Sequence, residues 1–232
     1  METPPRQKQQ LMNNLLDCLD LEREAKEPII EKLVQRPEPV YWRTATCKTL
    51  HNVLSPNECQ SIIQRAESIG FEQALLNVGG GRQILATESR NSDRCIVDDK
   101  AFAQEVFRRV WKYIPQTVRD SDGTTLKATC LNERMRILRY KKGHYFRKHS
   151  DGQYDREDGS ETSRMTVMIY LNGDYTGGHT LVFSDSGDEE KSIIAEPGLV
   201  FIFRHELAHE SPKLESGVKY AIRTDLMYAK AD

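Results

Sequence analysis

Cysteine pairs and long apolar runs are both missing from this 232-residue sequence. Its five cysteines are scattered, odd in number and without a Cys-x-x-Cys pair, which argues against a disulfide scaffold and a cysteine-bound zinc. No stretch approaches the roughly 20 apolar residues that cross a bilayer. The polar start METPPRQKQQ is not followed by the apolar run of a signal peptide. We therefore expect a reduced, cytoplasmic protein with no membrane partner; the sequence does not distinguish cytoplasm from nucleus.

A surplus of positive charge is also missing. Lys and Arg number 33 against 35 Asp and Glu, which gives a formal net charge of −2. No basic cluster resembles the face of a protein that lives on nucleic acid, so we do not expect a nucleic-acid partner. The length fits one domain with some decoration and a substantial core, and we expect a monomer.

The first half of the chain is typical of helices. Residues 7–35 carry leucines at helical spacing and are predicted to form one or two amphipathic helices, within an N-terminal helical extension over residues 1–45. Residues 55–58 (SPNE) combine an N-cap serine, an early proline and the glutamate of a capping box. A helix should therefore begin there and end at Gly70. A further helix is predicted over residues 99–113.

From residue 133 onward the hydrophobic period changes to two, which predicts β-strands separated by glycine, asparagine and aspartate turns. About eight short antiparallel strands with such turns are typical of a sandwich or jelly-roll barrel. We therefore predict an α+β fold in which the helices pack against one sheet of the barrel. The candidate strands cover residues 135–140, 146–149, 165–171, 179–183, 191–195, 199–203, 209–212 and 218–227.

Three residues of this strand region point to a metal site. His149 and Asp151 form a His-x-Asp pair, and because side chains alternate along a strand, both would point to one face. His209, from a neighbouring strand, would complete two imidazoles and a carboxylate, a set that suits non-haem Fe(II). By itself, a His-x-Asp pair is also typical of a plain hydrogen bond. His205 is a rival ligand, although the register of PGLVFIFRHELAHESP favours His209 and puts His205 in a loop.

Several motifs occur in an order that resembles a known family. They are Tyr140-x-x-Gly143 before His149-Ser150-Asp151, the segments TVMIYLN, GGHTLVF and PGLVFIF, and His209 with Lys219 ten residues later. Together they resemble the 2-oxoglutarate- and Fe(II)-dependent oxygenases, and within them the prolyl 4-hydroxylase branch, over about residues 50–230. The resemblance implies a double-stranded β-helix (jelly-roll) barrel, in a catalytic domain over residues 46–232.

The resemblance further implies a reaction and its cofactors. Fe(II), 2-oxoglutarate and O2 would be required, with ascorbate as a candidate reductant. A C–H bond of the substrate would be hydroxylated while 2-oxoglutarate is decarboxylated to succinate and CO2. His149, Asp151 and His209 carry over as the three iron ligands.

The same resemblance assigns residues to the cosubstrate. Lys219 carries over as the cation that binds the distal carboxylate of 2-oxoglutarate. Arg223 is the alternative anchor, because residues i and i+4 of a strand share a face. Tyr140 matches a tyrosine that hydrogen-bonds the cosubstrate. Tyr170 and Thr180 are candidate further contacts, or else ordinary packing residues of the barrel.

The substrate is the least determined part of the prediction. The last strand, KYAIRTDLMY, lacks the tryptophan of collagen-type prolyl hydroxylases, so a prolyl residue stands beside other protein residues as a candidate. Arg90 and Arg94 could grip a substrate carboxylate, with Arg223 as a third candidate, unless the first two pair with Asp98 or Asp99. The alternatives are a free amino acid or small metabolite as substrate, a nucleic-acid demethylase, and an inactive binding module.

Overall fold

A computed structural model describes residues 14–22, 30–32, 47–77, 82–120, 122–183 and 189–231. Two α-helices cover Pro56–Ile69 (α1) and Lys100–Val110 (α2), and two 3-10 helices cover Leu16–Cys18 and Trp111–Tyr113. The strands of these residues, β1 to β19 in chain order, are Ile30–Lys32, Cys47–Leu50, Glu72–Gln73, Leu76–Asn77, Gln83–Ile84, Arg90–Asn91, Asp93–Asp98, Thr117–Arg119, Thr125–Leu131, Arg134–Tyr140, Tyr145–His149, Thr162–Tyr170, Thr176–Gly177, Thr180–Phe183, Glu189–Ile193, Val200–Arg204, His209–Ser211, Leu214–Ser216 and Lys219–Lys230.

Most strands belong to two antiparallel sheets. The larger sheet has ten strands; its main order is β1-β2-β16-β12-β19-β10-β7-β3, and β9 pairs with β19 while β8 pairs with β9. The smaller sheet has five strands in the order β15-β14-β17-β11-β6. All eight strands predicted beyond residue 133 are present, with ends that differ by at most three residues. The α+β jelly-roll prediction is confirmed.

The apolar core is divided between the two faces of the larger sheet. In β10, Ile137 joins a cluster with the helices, while the next residue, Leu138, joins a second cluster with Val182 of the smaller sheet. Side chains that alternate along a strand allow one sheet to serve both clusters. On the helix side, Phe102 and Val106 of α2 are fully buried. The helices therefore cover one face of the larger sheet, and its other face lines the interior of the barrel.

Local signals place both helices as predicted. The Ser55 hydroxyl accepts the N–H of Glu58 at 3.2 Å, and the Glu58 carboxylate accepts the N–H of Ser55 at 2.6 Å, which completes a capping box. Asp99 caps α2 by accepting the N–H of Phe102 at 2.9 Å. Glu58 also pairs with Arg109 of α2 at 2.9 Å, and both side chains are buried. This ion pair links the two helices.

The prediction of N-terminal helices is wrong for one described segment. Residues 30–32 form strand β1, which pairs with β2 at the edge of the larger sheet. Leu16–Cys18 form a single 3-10 turn, and the Asp99 carboxylate accepts the N–H groups of Leu15 and Leu16 at 2.7 and 3.2 Å. Backbone pairing with an open sheet edge outweighs helical spacing in so short a segment. The remainder of residues 7–35 lies outside the described residues, so an extension over residues 1–45 stays a prediction.

The five cysteines, all of which lie within the described residues, form no disulfide with one another, and Cys47, Cys59 and Cys95 are buried. In the part of the chain that the structure describes, no helix has both the length and the apolar character to cross a membrane.

Candidate metal and cosubstrate site

The two histidines and the aspartate meet where β11 and β17 pair. His149 ends β11, His209 begins β17, and the two stand opposite each other in the antiparallel register. Asp151 lies just beyond β11, where its N–H donates to the carbonyl of His205 at 2.8 Å. The candidate ligand atoms of the three residues all lie within 4.8 Å of one another. The three predicted residues (the trio) therefore come together. The position of Asp151 is set by a hydrogen bond in a loop, and not by the alternation of side chains along a strand as the sequence suggested.

Both imidazoles turn their Nε2 atoms towards that carboxylate. His149 Nδ1 lies 2.7 Å from the carbonyl oxygen of Arg147, and His209 Nδ1 lies 3.0 Å from that of Leu207. Each Nδ1 therefore carries the hydrogen, and each Nε2 keeps a free lone pair. The Nε2 atoms stand 3.9 Å from the two carboxylate oxygens of Asp151, too far for hydrogen bonds. A plain His–Asp hydrogen bond is thus absent. Two imidazole nitrogens and a carboxylate oxygen form the ligand set that non-haem Fe(II) prefers.

Aromatic packing and burial keep the first imidazole neutral. The Phe146 ring stacks on His149 with centroids 3.5 Å apart, and Phe203 meets His209 edge-on at 4.8 Å. Burial, followed by the proximity of His209, lowers the pKa of His149 to about 4. A metal-binding imidazole must be neutral, and His149 satisfies this at pH 7 without competition from a proton.

Asp151, by contrast, is held in its charged form. Burial alone would raise the pKa of this carboxyl, but Arg223, His209 and the hydroxyl of Thr166 outweigh it, and the pKa lies well below its usual range. Thr166 Oγ1 donates to Oδ2 at 2.6 Å, and Arg223 Nη2 lies 3.5 Å from Oδ1. The site therefore offers a carboxylate fixed in one orientation.

A buried chain of hydrogen bonds continues behind Thr166, and its direction can be worked out. A carboxylate only accepts, so the Thr166 hydroxyl donates to Asp151 and accepts from His205 Nδ1 at 2.9 Å. His205 Nε2 must then accept from the hydroxyl of Ser163 at 2.8 Å, whose oxygen accepts the N–H of Tyr154, also at 2.8 Å. His205 lies in the turn after β16, as its register predicts, and orients the trio from outside. Sequence reasoning missed this chain, although Thr166 stands in the TVMIYLN motif.

A lysine stands at the deep end of the same face. Lys219 is 1% exposed, and its Nζ donates to the carbonyl of Gly178 at 2.6 Å and to Ser211 Oγ at 3.0 Å, with Thr180 Oγ1 at 3.5 Å. Among the described residues no carboxylate pairs with it. Desolvation lowers the pKa of Lys219 to about 7. An anion bound beside Nζ would supply the missing partner.

Three tyrosine rings enclose the lysine Nζ, with the centroids of Tyr140, Tyr170 and Tyr175 at 5.3, 5.7 and 6.0 Å. Tyr140 stands opposite Lys219 in the β10–β19 register. Tyr170 is fully buried, and its hydroxyl donates to Thr180 at 2.7 Å. The buried hydroxyl of Tyr175 has no hydrogen-bond partner among the described residues, and the sequence prediction did not include this residue. The deep end therefore holds a cation enclosed by tyrosine rings.

The trio and Lys219 face one cavity of about 280 Å³. Tyr140 and Thr180 also line it, whereas Tyr170 packs behind Thr180. Lys219 and Arg223 lie four residues apart on β19, about 13 Å at ~3.3 Å per residue. Arg223 contacts Asp151, so the two candidate anchors for 2-oxoglutarate sit at opposite ends of the cavity.

Four arginines line the cavity, and the sequence prediction contained three of them. They are Arg90, Arg94, Arg136 and Arg223. Arg94 donates to Glu72 at 2.9 Å and to Gln83 at 3.0 Å. The alternative in which Arg90 or Arg94 pairs with Asp98 or Asp99 is wrong, because Asp98 binds the exposed Arg134 and Asp99 caps α2. The sequence prediction did not include Arg136, because a polar residue is expected at alternate positions of a strand such as β10.

Comparison with known proteins bears on the same residues. Residues 135–224 match the family model described as the 2OG-Fe(II) oxygenase superfamily, a range that contains the trio and Lys219. No curated protein sequence matches the chain.

Solved structures of prolyl hydroxylases share the fold. The viral collagen prolyl hydroxylase of Paramecium Bursaria Chlorella virus-1, in complex with 2OG, is 20% identical with a TM-score of 0.50, over 79% of this chain and 96% of that one. A prolyl-4-hydroxylase of Pseudomonas putida is 13% identical with a TM-score of 0.53, over 82% and 95%. A prolyl hydroxylase of Trichoplax adhaerens, bound to a hypoxia inducible factor peptide fragment, is 14% identical with a TM-score of 0.53, over 97% and 94%. At such identities the likeness establishes the fold alone.

Proposed function

We propose that the chain is a 2-oxoglutarate- and Fe(II)-dependent oxygenase, as the family match over residues 135–224 supports. In this proposal His149, Asp151 and His209 hold the catalytic Fe(II), and the adjoining cavity hydroxylates a peptidyl residue. The observation that carries this proposal is the trio itself: two imidazole Nε2 atoms with free lone pairs and an ionised carboxylate, within 4.8 Å of one another. Thiolates, which would favour other metals, are absent from the set.

Fe(II) held by these three residues would supply the redox chemistry with O2. A substrate C–H group, 2-oxoglutarate and O2 give a C–OH group, succinate and CO2. The protein's own contribution is to orient the metal ligands and to exclude water from the site. Thr166 and the chain behind it fix Asp151, the backbone carbonyls fix both imidazoles, and the stacked Phe146 covers His149.

The deep end of the cavity is our proposed site for the cosubstrate. We assign the distal carboxylate of 2-oxoglutarate to Lys219, because this is the buried cation that lacks a carboxylate partner in the described structure. Tyr140, which lines the cavity beside Lys219, is our candidate for a further hydrogen bond to the same anion. Thr180 borders the cavity as a further contact, and Tyr170 supports Thr180 from behind. Arg223 lies next to Asp151, so we assign it to contacts with that carboxylate and with the substrate.

The choice of a peptidyl substrate rests on the fold that the chain shares with prolyl hydroxylases, one of which holds a peptide. Next to Asp151, the cavity is also lined by Ser150, Gly152 and Gln153 of the loop that follows β11. A free amino acid or small metabolite is the alternative substrate, and a peptidyl prolyl group is one candidate among protein residues.

The test combines metal content with turnover. Wild type, His149→Ala and His51→Gln are loaded with Fe(II), and iron per chain and succinate released from 2-oxoglutarate are measured. His51 pairs with Glu196 away from the trio and serves as the control. We expect about one iron per chain and succinate formation in wild type and in the control, with both lost in His149→Ala. Equal iron and equal succinate in all three proteins would overturn the assignment of the site.

A further inference from the structure

We propose that the substrate carries a carboxylate next to the hydroxylated carbon and that Arg136, together with Arg223, binds this carboxylate. The inference rests on the proposed function, since it identifies the chemical class of substrate for that same cavity. It comes from the way the larger sheet arranges its cationic side chains.

The strand registers place the side chains of the cavity floor in rows. Arg136 of β10 stands opposite Arg223 of β19, which in turn stands opposite Met168 of β12. Directly opposed residues share a face of the sheet, with Cβ atoms about 5 Å apart. Four residues further along, the opposed pair is Tyr140 and Lys219. The floor thus has a lysine at the cosubstrate end and two neighbouring arginines at the other end, beyond Asp151.

The two arginines face each other and share the carboxylate of Asp225, which lies closer to Arg223 than to Arg136. Like charges directly opposite each other on a sheet are destabilising. Arg223 Nη2 lies 3.1 Å from Asp225 and 3.5 Å from Asp151. Arg136 has its nearest carboxylate at 3.6 Å, on the same Asp225, and its buried Nη1 atom makes no hydrogen bond within the described residues. A planar guanidinium with free donors is shaped to take a carboxylate through two parallel hydrogen bonds.

The charge of the whole cavity supports an anionic substrate. Five cationic side chains line it, Arg90, Arg94, Arg136, Lys219 and Arg223, against two carboxylates in the lining, Asp151 and Glu210. Two more carboxylates just outside the lining pair with these arginines, Glu72 with Arg94 and Asp225 with both Arg136 and Arg223. The count therefore leaves an excess of one positive charge. A divalent metal and doubly charged 2-oxoglutarate cancel each other, so the positive excess remains after both have bound. The excess is local, because the chain as a whole carries a formal charge of −2. Such a lined cleft raises the local concentration of anions.

Arg90 completes the cluster from the smaller sheet. It stands opposite Phe146 in the β6–β11 register, and its guanidinium carbon lies 4.7 Å from the centre of the Phe146 ring. Phe146 stacks on His149, so Arg90 borders the same space next to the trio. A carboxylate held by Arg136 and Arg223 would therefore leave the adjoining carbon close to the metal ligands. Acidic side chains of a peptide and free amino dicarboxylic acids share this chemistry.

The experiment uses three peptide pools that are identical except at the variable positions, which hold Asp and Glu, Asn and Gln, or Lys. Phosphoserine peptides and free glutamate and aspartate form further arms. The readouts are substrate-stimulated succinate release, divided by each protein's own rate without substrate, and the gain of one oxygen atom in the probe. A charge-assisted bidentate contact of about 1.5–3 kcal/mol predicts roughly a tenfold or larger preference for the acidic pool over the amide pool. The peptide and free-acid arms identify the source of the carboxylate.

Variants test whether Arg136 binds the carboxylate of the substrate. Arg136→Gln should abolish the preference for the acidic pool, and Arg136→Glu should shift it towards the Lys pool. Arg134→Gln is the matched control, since Arg134 lies two residues away on β10, pairs with Asp98 at the surface and does not line the cavity. This control should retain the wild-type preference.

The outcomes separate the two proposals. Absence of succinate formation in every arm is a failure of the proposed function. Turnover that is stimulated equally by amide or Lys peptides, or more strongly by phosphoserine peptides, overturns the carboxylate inference alone. If no carboxylate-bearing probe stimulates turnover, the melting temperature of Mn(II)- and 2-oxoglutarate-loaded protein with each pool decides. No stabilisation by acidic probes would likewise overturn it.

Discussion

Replacing Lys219 with methionine should weaken 2-oxoglutarate binding and stabilise the free protein at the same time. Lys219 is 1% exposed, and its Nζ donates only to a carbonyl and to hydroxyls in the described structure. Removing one partner of a buried, hydrogen-bonded charge pair costs about 2–5 kcal/mol. At about 1.4 kcal/mol per tenfold change, the KM for 2-oxoglutarate should rise roughly 30-fold or more. Lys219→Arg keeps the charge and should recover part of the loss.

The effect on stability has the opposite sign and depends on pH. Desolvation lowers the pKa of Lys219 from an ordinary 10.5 to about 7, so between these values the unfolded chain binds a proton that the folded chain does not. Wild-type stability without ligand should therefore rise with pH across this window, by at most about 5 kcal/mol at ~1.4 kcal/mol per pKa unit. Lys219→Met lacks this slope and should melt at a higher temperature than wild type at pH 7.

The assays are succinate formation against 2-oxoglutarate concentration and thermal melting of the metal-free protein from pH 7 to 10. An unchanged KM in Lys219→Met, together with a large KM increase in Arg223→Met, would refute the assignment of the anchor. Unfolding of the variant at a lower temperature than wild type would show that the lysine is a structural support and not an unpaired charge.

Two further changes probe the supports of the site and of the fold. Thr166→Val removes the hydrogen bond to Asp151 while keeping the shape of the side chain, and iron affinity should fall about 10–100-fold in a metal titration, with Thr166→Ser close to wild type. Gly198→Ala puts a Cβ 1.9 Å from the carbonyl oxygen of Leu54 at a φ of +82°, and the melting temperature should fall by roughly 5–15 °C for a loss of about 2–4 kcal/mol. Gly152→Ala, with open space around its Cβ, is the control and should melt like wild type.

The barrel and the trio could be predicted because both depend on local patterns in a fixed order. Period-two hydrophobicity and glycine turns locate strands, and the capping box at Ser55 locates a helix, since each signal acts within a few residues. His149 and His209 could be recognised because few residue types bind Fe(II), and histidine is one of them. The resemblance to a family then joined two positions that are sixty residues apart.

What the sequence could not show depends on long-range pairing. Strand β1 at residues 30–32 forms because a sheet edge happens to be open beside it, which leucine spacing does not reveal. The facing arginines, Arg136 and Arg223, become neighbours only through the register of β10 and β19. Likewise, His205 is read as a rival ligand until the turn after β16 places it behind Thr166. Register and loop geometry, unlike periodicity, are properties of the assembled chain.

Oxygen-isotope labelling tests the central claim most directly, because it does not require the substrate to be known. The Fe(II)-loaded wild type and His149→Ala are incubated with 2-oxoglutarate under isotopically labelled O2, and the mass of the succinate formed is measured. Oxidative decarboxylation at the trio predicts one labelled oxygen atom in each succinate made by the wild type and no succinate above background from the variant. Unlabelled succinate, or equal labelled succinate from both proteins, would contradict a dioxygenase centre built on His149, Asp151 and His209.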